Sequence, residues 1–191
     1  TGLSSWSQTF PPASSFESHR LRLWVRANDR AGNQSAVPSG GQLTANQNAD
    51  GSAAWDFTYD NTPPTSKVAF PPAYADFVPT TISGTSADAF PTREPSGVQT
   101  VYLRLLRSDG SYWDLFGGTW GGSGAFDNRG ITGTNPWSFN SFSGAFADGY
   151  KYTVNPEGED AATNLETAYS TFAFIVDLTT PTSVLGWPND G

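Results

Sequence analysis

The chain of 191 residues has no cysteine, no methionine and a single histidine, His19. Without thiols it can form no disulfide, no cysteine-type zinc cluster and no thiol nucleophile. The missing initiator residue gives the expectation that the chain is a processed or excised piece of something longer. Charge is scarce too, with Asp, Glu, Lys and Arg making up 15% of the residues, against about 25% in ordinary domains. The balance of 10 basic to 18 acidic residues leaves a net charge of -8 and a pI near 4.4. No basic footprint for nucleic acid exists, and polyanions would be repelled. No run reaches the roughly 18 apolar residues of a membrane-spanning helix, and no signal-peptide pattern stands at Thr1. A helical period is missing from the apolar residues throughout.

What is present compensates for those gaps. Seven Trp, thirteen Phe and seven Tyr supply enough apolar area to offset chain entropy and argue against disorder. Twenty Gly and fourteen Pro, with many Ser, Thr and Asn, favour short strands joined by turns.

The pattern that organises the chain is an internal repeat. Thr1, Gly2, Trp6, Ser7, Asp29, Ala31 and Asn33 return as Thr132, Gly133, Trp137, Ser138, Asp160, Ala162 and Asn164 at a constant spacing of 131. Conservative partners keep the same spacing: Glu17 with Asp148, Arg20 with Lys151, Leu21 with Tyr152 and Leu23 with Val154. Phe57, Asp60, Thr62, Pro64, Thr65, Ser66 and Pro71 return as Phe174, Asp177, Thr179, Pro181, Thr182, Ser183 and Pro188 at a spacing of 117. The difference of 14 falls in a Gly-, Ser-, Asn- and Ala-rich insertion at 36–54. A surface turn accepts such an insertion at little thermodynamic cost.

The two Pro-Thr-Ser copies frame three segments: 1–63, the C-terminal half of a unit; 64–180, a complete unit; and 181–191, the start of another. Period-two runs in the complete unit predict strands at Ser66–Phe70, Thr80–Gly84, Val98–Arg107, Tyr112–Phe116, Trp137–Phe142, Tyr150–Val154 and Phe172–Val176. Ser108-Asp109-Gly110 reads as a hairpin turn. Seven or so short strands without helices describe an all-β fold, a β-sandwich. The first segment carries only the last strands of such a unit, with Leu21, Leu23 and Val25 alternating and Trp55, Phe57 and Tyr59 alternating. A half sandwich is marginal alone.

The runs Ile82–Asp88, Ser96-Gly-Val98, Tyr112-Trp-Asp114, Trp137-Ser138 and Asp148-Gly-Tyr150, with Asp29-Arg-Ala-Gly-Asn33 and Asp60-Asn-Thr-Pro-Pro-Thr65, carry a resemblance. They resemble the immunoglobulin-like tandem repeats of large bacterial extracellular, adhesin-type surface proteins. The second copy departs from that pattern at Ala161-Ala162-Thr163, which loses the turn glycine and so predicts a changed local conformation. The resemblance implies immunoglobulin-like β-sandwich repeats arranged end to end, an extracellular or cell-surface location, and no catalytic residues. Stiff prolines at Pro63-Pro64 and Pro181 fit domains held in line.

His19 stands where the complete unit has Tyr150, which makes it a strand residue and leaves no base for a Ser-His-Asp triad. The acids lie mostly in turns, where Asp and Asn bond their own backbone, although a paired-carboxylate glycoside hydrolase fragment stays as a distant reading. Asp29, Asn33, Asp60, Asp160, Asn164 and Asp177 are oxygen ligands near turns and junctions that could hold a structural calcium. Lys67, on a strand, raises an isopeptide crosslink, but its repeat partner is Val184. Tyr112, Trp113 and Trp120, set among glycines, are the candidates for stacking on a sugar. The expectation is a non-catalytic structural or adhesive module, with a carbohydrate-binding module as the alternative. Its partners would be copies of itself or adjoining repeats, through strand complementation, or a surface polysaccharide. Whether 1–63 is completed in cis or by a neighbouring subunit stays open, and the six calcium candidates stand beside a reading with no cofactor.

Overall fold

The computed structural model describes residues 7, 9, 16–17, 19–23, 29–33, 55–90, 95–142 and 144–186. The 36–54 insertion, Trp6, Val25 and Pro188 lie outside them. The regular elements among the described residues are all strands: β1 (His19–Leu23), β2 (Trp55–Tyr59), β3 (Thr65–Phe70), β4 (Tyr74–Ala75), β5 (Ile82–Ala87), β6 (Val98–Arg107), β7 (Tyr112–Asp114), β8 (Thr119–Gly122), β9 (Ile131–Thr132), β10 (Trp137–Phe139), β11 (Lys151–Asp160) and β12 (Phe172–Val176). They form a β1-β2 pair, a four-stranded sheet in the order β3-β5-β10-β9, and a six-stranded sheet in the order β4-β12-β11-β6-β7-β8. All pairings are antiparallel except β4 with β12. The chain is therefore all-β, in an arrangement compatible with a β-sandwich.

Alternation decides which faces meet. In β6, Val101, Leu103 and Leu105 are buried while Tyr102 and Arg104 are only half-buried. Tyr152 and Val154 of β11 and Phe174 and Val176 of β12 join the same core. From the other sheet come Ile82, Trp137 and Phe139. Each such fully buried large side chain contributes about 2 kcal/mol. Trp137 lies directly across from Gly84 of β5, and a Cβ at Gly84 would collide with the indole ring and with the Lys67 carbonyl. Only glycine fits there.

Polar groups join the two sheets at one edge. The buried Glu166 accepts from Ser66 N–H of β3 and from Gly158 N–H of β11, each at 3.0 Å. Ser170 Oγ donates to the Ser66 carbonyl at 2.7 Å. At the opposite end of β11, Tyr152 is fully buried and its hydroxyl bonds the Ala147 backbone, accepting from N–H at 2.7 Å and donating to the carbonyl at 3.3 Å.

The sequence places β6 and β12 at their observed limits and β3 within one residue. It places β5 too early and stops β11 too soon. β11 continues through Pro156 because its ladder to β12 ends at Val154 while its ladder to β6 goes on. The proline's missing N–H therefore costs no ladder bond. β10 ends at Phe139, and Phe142 reaches the core from the loop that follows.

The β1-β2 pair and the β11-β12 pair keep one register. Arg20 faces Thr58 and Leu21 faces Phe57, while Lys151 faces Ile175 and Tyr152 faces Phe174. Those positions are related by the spacings of 131 and 117 seen in the sequence.

Candidate functional site

Three loops converge at the end of the sheets where β2 hands the chain to β3. Asp60 follows β2, Asp88 follows β5, Ser96 and Gly97 precede β6, and the turn Asp160–Asn164 closes β11. Asp60 is 7% exposed and Asp160 is fully buried. One ligand oxygen from each of Asp60, Asp88 and Asp160 lies within 4.8 Å of the others. They are the one group of carboxylates among the described residues that could hold a metal ion.

Each acid is fixed by short-range chemistry before the three meet. Asp60 Oδ1 accepts from Thr62 N–H at 3.1 Å, an Asx turn that starts the proline linker. Its Oδ2 accepts from Ser96 N–H at 2.6 Å. Burial pushes the Asp60 carboxyl up, but the N–H groups of Ser96 and Thr62 outweigh it and hold the group below the usual carboxylate range. Asp88 Oδ2 accepts from Gly97 N–H at 2.7 Å. Burial nevertheless raises the Asp88 carboxyl, and the neighbouring charges of Asp60 and Asp160 raise it further. Asp160 accepts from the Asn164 N–H and the Asn164 carboxamide, both at 2.8 Å. The same carboxamide donates to the Asp60 carbonyl at 3.0 Å and so ties the linker to the turn.

The first copy of this turn repeats the Asp–Asn bonds on an exposed site. Asp29 Oδ1 accepts from the N–H groups of Ala31 and Asn33, and Oδ2 accepts from the Asn33 carboxamide at 2.6 Å. The Asn33 carboxamide and N–H hold the Asp29 carboxyl below its usual range. The altered sequence at 161–163 does not change the conformation, contrary to expectation. Thr163 takes φ of +68°, where the first copy has Gly32 at +87°. The N–H groups of Gly32 and Thr163 reach the carbonyls of Asp29 and Asp160 alike.

A matching arrangement stands where β12 ends. Asp148 accepts from Leu178 N–H at 2.7 Å and from Thr179 Oγ1 at 3.1 Å, and Asp177 Oδ1 accepts from Thr179 N–H at 3.0 Å. The Leu178 N–H, then the Thr179 hydroxyl, hold Asp148 below the usual range. The corresponding bonds near β2 run from Asn61 N–H and Thr62 Oγ1 to Glu17, at 2.8 and 2.7 Å.

Of the six cation candidates from the sequence, Asp60, Asp160 and Asn164 come together, Asp29 and Asn33 bond each other, and Asp177 caps Thr179. Sequence reasoning missed Asp88 and Ser96 as members of the group. Both stand in the runs Ile82–Asp88 and Ser96-Gly-Val98, but nothing local says that the loop between β5 and β6 meets Asp60.

The aromatic candidates differ in exposure. Trp113 is 6% exposed and packs on Trp120 and Phe142 at 5.2 and 6.2 Å between ring centroids. Trp120 is half-buried, with the Arg107 guanidinium 4.5 Å from its ring centroid and its Nε1 donating to the Ala145 carbonyl at 2.9 Å. Tyr112 is half-buried, close against Gly124. A cleft of about 400 Å³ beside them is lined by Trp113, Asp114, Gly122, Asp127 and Arg129 among others. Lys67 is exposed on β3.

No protein-family model matches the chain, and no curated protein matches it.

Proposed function

We propose that the chain is a non-catalytic extracellular or cell-surface repeat module, built of immunoglobulin-like sandwich units joined end to end, whose task is mechanical. The observation that carries this reading is the doubled joint: Glu17 grips Asn61 and Thr62 as Asp148 grips Leu178 and Thr179. A linker gripped in this way resists bending. The fold also supports the reading. Sheet orders β3-β5-β10-β9 and β4-β12-β11-β6-β7-β8 are compatible with the two sheets of an immunoglobulin-like sandwich, and so is the bond of the Tyr152 hydroxyl to the Ala147 backbone at the start of β11. The shared register of β1-β2 and β11-β12 supports tandem units, and adjoining repeats or copies of the chain are then the partners.

Small-angle scattering and single-molecule extension test the reading together. The expected result is an elongated, stiff particle with a cooperative unfolding event under load, together with silence on glycan arrays and polysaccharide hydrolysis assays. Saturable glycan binding lost in Trp120→Ala, or hydrolysis of any polysaccharide, would overturn it. A calcium ion at Asp60, Asp88 and Asp160 would stiffen the same joint. A melting temperature that rises with added calcium in the parent but not in Asp88→Asn supports that part, and a flat titration removes it.

A further inference from the structure

The two joints present the same acceptors, and among the described residues only the first meets donors from the sheets that follow it. At the first, Asp60 receives Ser96 N–H on Oδ2 and the Asn164 carboxamide on its carbonyl. At the second, Asp177 makes the same Asx turn to Thr179, is exposed, and receives neither donor among the described residues. We infer that Asp177 is the docking point for a following unit of the same fold, which brings a backbone N–H in the place of Ser96 and a carboxamide in the place of Asn164. This rests on the tandem-unit reading above.

The segment beyond Asp177 points the same way. Pro64 is buried and Thr65–Phe70 forms the edge of the four-stranded sheet, yet their counterparts run exposed, with Val184 at 93% and Leu185 at 88%. Two large apolar residues in succession on an exposed segment are unusual unless a neighbour covers them. Apolar surface also borders the joint, because Tyr74 pairs with Ile175 beside it and Leu178 follows it, both exposed.

The occupant is a unit continuous with the chain and not a separate copy. In a separate copy, the Ser96 N–H and the Asn164 carboxamide already serve that copy's own Asp60. A unit whose first strand begins at Thr182 has both donors free for Asp177.

Hydrogen exchange tests this in the chain itself and in an extended chain that carries residues 64–180 in place of 181–191. In the chain itself, Asp60→Asn should raise Ser96 amide exchange roughly tenfold, the loss of one bond to a charged acceptor, while Asp177→Asn leaves it unchanged. In the extended chain, Asp177→Asn should raise exchange roughly tenfold at the Ser96-equivalent amide of the appended unit and leave its β6 and β11 amides protected. The asparagine keeps an oxygen for Thr179 N–H, so the local turn survives. An appended unit that folds with that amide equally protected in parent and Asp177→Asn overturns the inference, as does full protection gained by mixing separate copies. Neither result touches the glycan and hydrolysis assays on which the mechanical reading depends.

Discussion

The turns at Asp29–Asn33 and Asp160–Asn164 share their Asp–Asn bonds and differ in their surroundings. In both, one aspartate collects the N–H and the carboxamide of an asparagine four residues on. The first is exposed on all its parts, whereas Asp160 is fully buried and Asn164 reaches across to the Asp60 carbonyl. The difference teaches that local sequence builds the turn, and that its energetic weight comes from what is packed over it.

Removing the shared asparagine separates the two most sharply. Asn164→Ala leaves the buried Asp160 carboxylate with the backbone N–H of position 164 alone and leaves the Asp60 carbonyl without its donor, and should cost about 3 kcal/mol in denaturant unfolding. Asn33→Ala should leave the same transition where it is. Equal effects would mean that burial does not set the weight of the turn.

Glu166 extends the contrast from the turn to the sheets it closes. Glu166→Ala leaves the buried N–H groups of Ser66 and Gly158 without their acceptor, and a loss of about 2 kcal/mol is expected by urea titration. An unchanged midpoint would show that water replaces the carboxylate freely.

The third position of the turn offers a gain. Thr163 has an exposed side chain and a left-handed backbone that a β-branched residue adopts at a cost. Thr163→Gly should stabilise by about 1 kcal/mol in thermal unfolding, the difference that Gly32 already enjoys in the first copy. A loss instead would mean that the threonine side chain has a partner elsewhere.

The smallest effect is expected at the second joint, from pH. Asp148 has a folded pKa below its ordinary 3.8, so the contribution of its bonds to Leu178 and Thr179 is full above that value. It is lost as pH falls through the depressed value. The Leu178 amide shift should therefore titrate with a midpoint under 3.8, and Asp148→Asn should abolish the step. A midpoint at or above the ordinary value would remove the bond from the joint.

Much of the fold was legible because its signals are local. Val101, Leu103 and Leu105 alternate within five residues, and Ser108-Asp109-Gly110 turns the chain with Gly110 N–H on the Arg107 carbonyl. Thr163 misled the reading because it lacks the glycine that a left-handed position favours, and the Asp160–Asn164 bonds override that preference. Trp113 could be read as an exposed stacking face or as core until the fold put Phe142 and Trp120 over it.

The sequence by itself determined the strand periods, the turns that an Asp or Asn makes with residues two to four positions away, and the spacings of 131 and 117. Those depend on backbone geometry and on contacts too short to need a fold. The tertiary structure decided that Asp88 and Ser96 meet Asp60, that Asn164 spans 104 residues to the linker carbonyl, and that Glu166 joins two sheets across 100 residues. Such bonds exist only after register and sheet order are set, and the core between the sheets sets both.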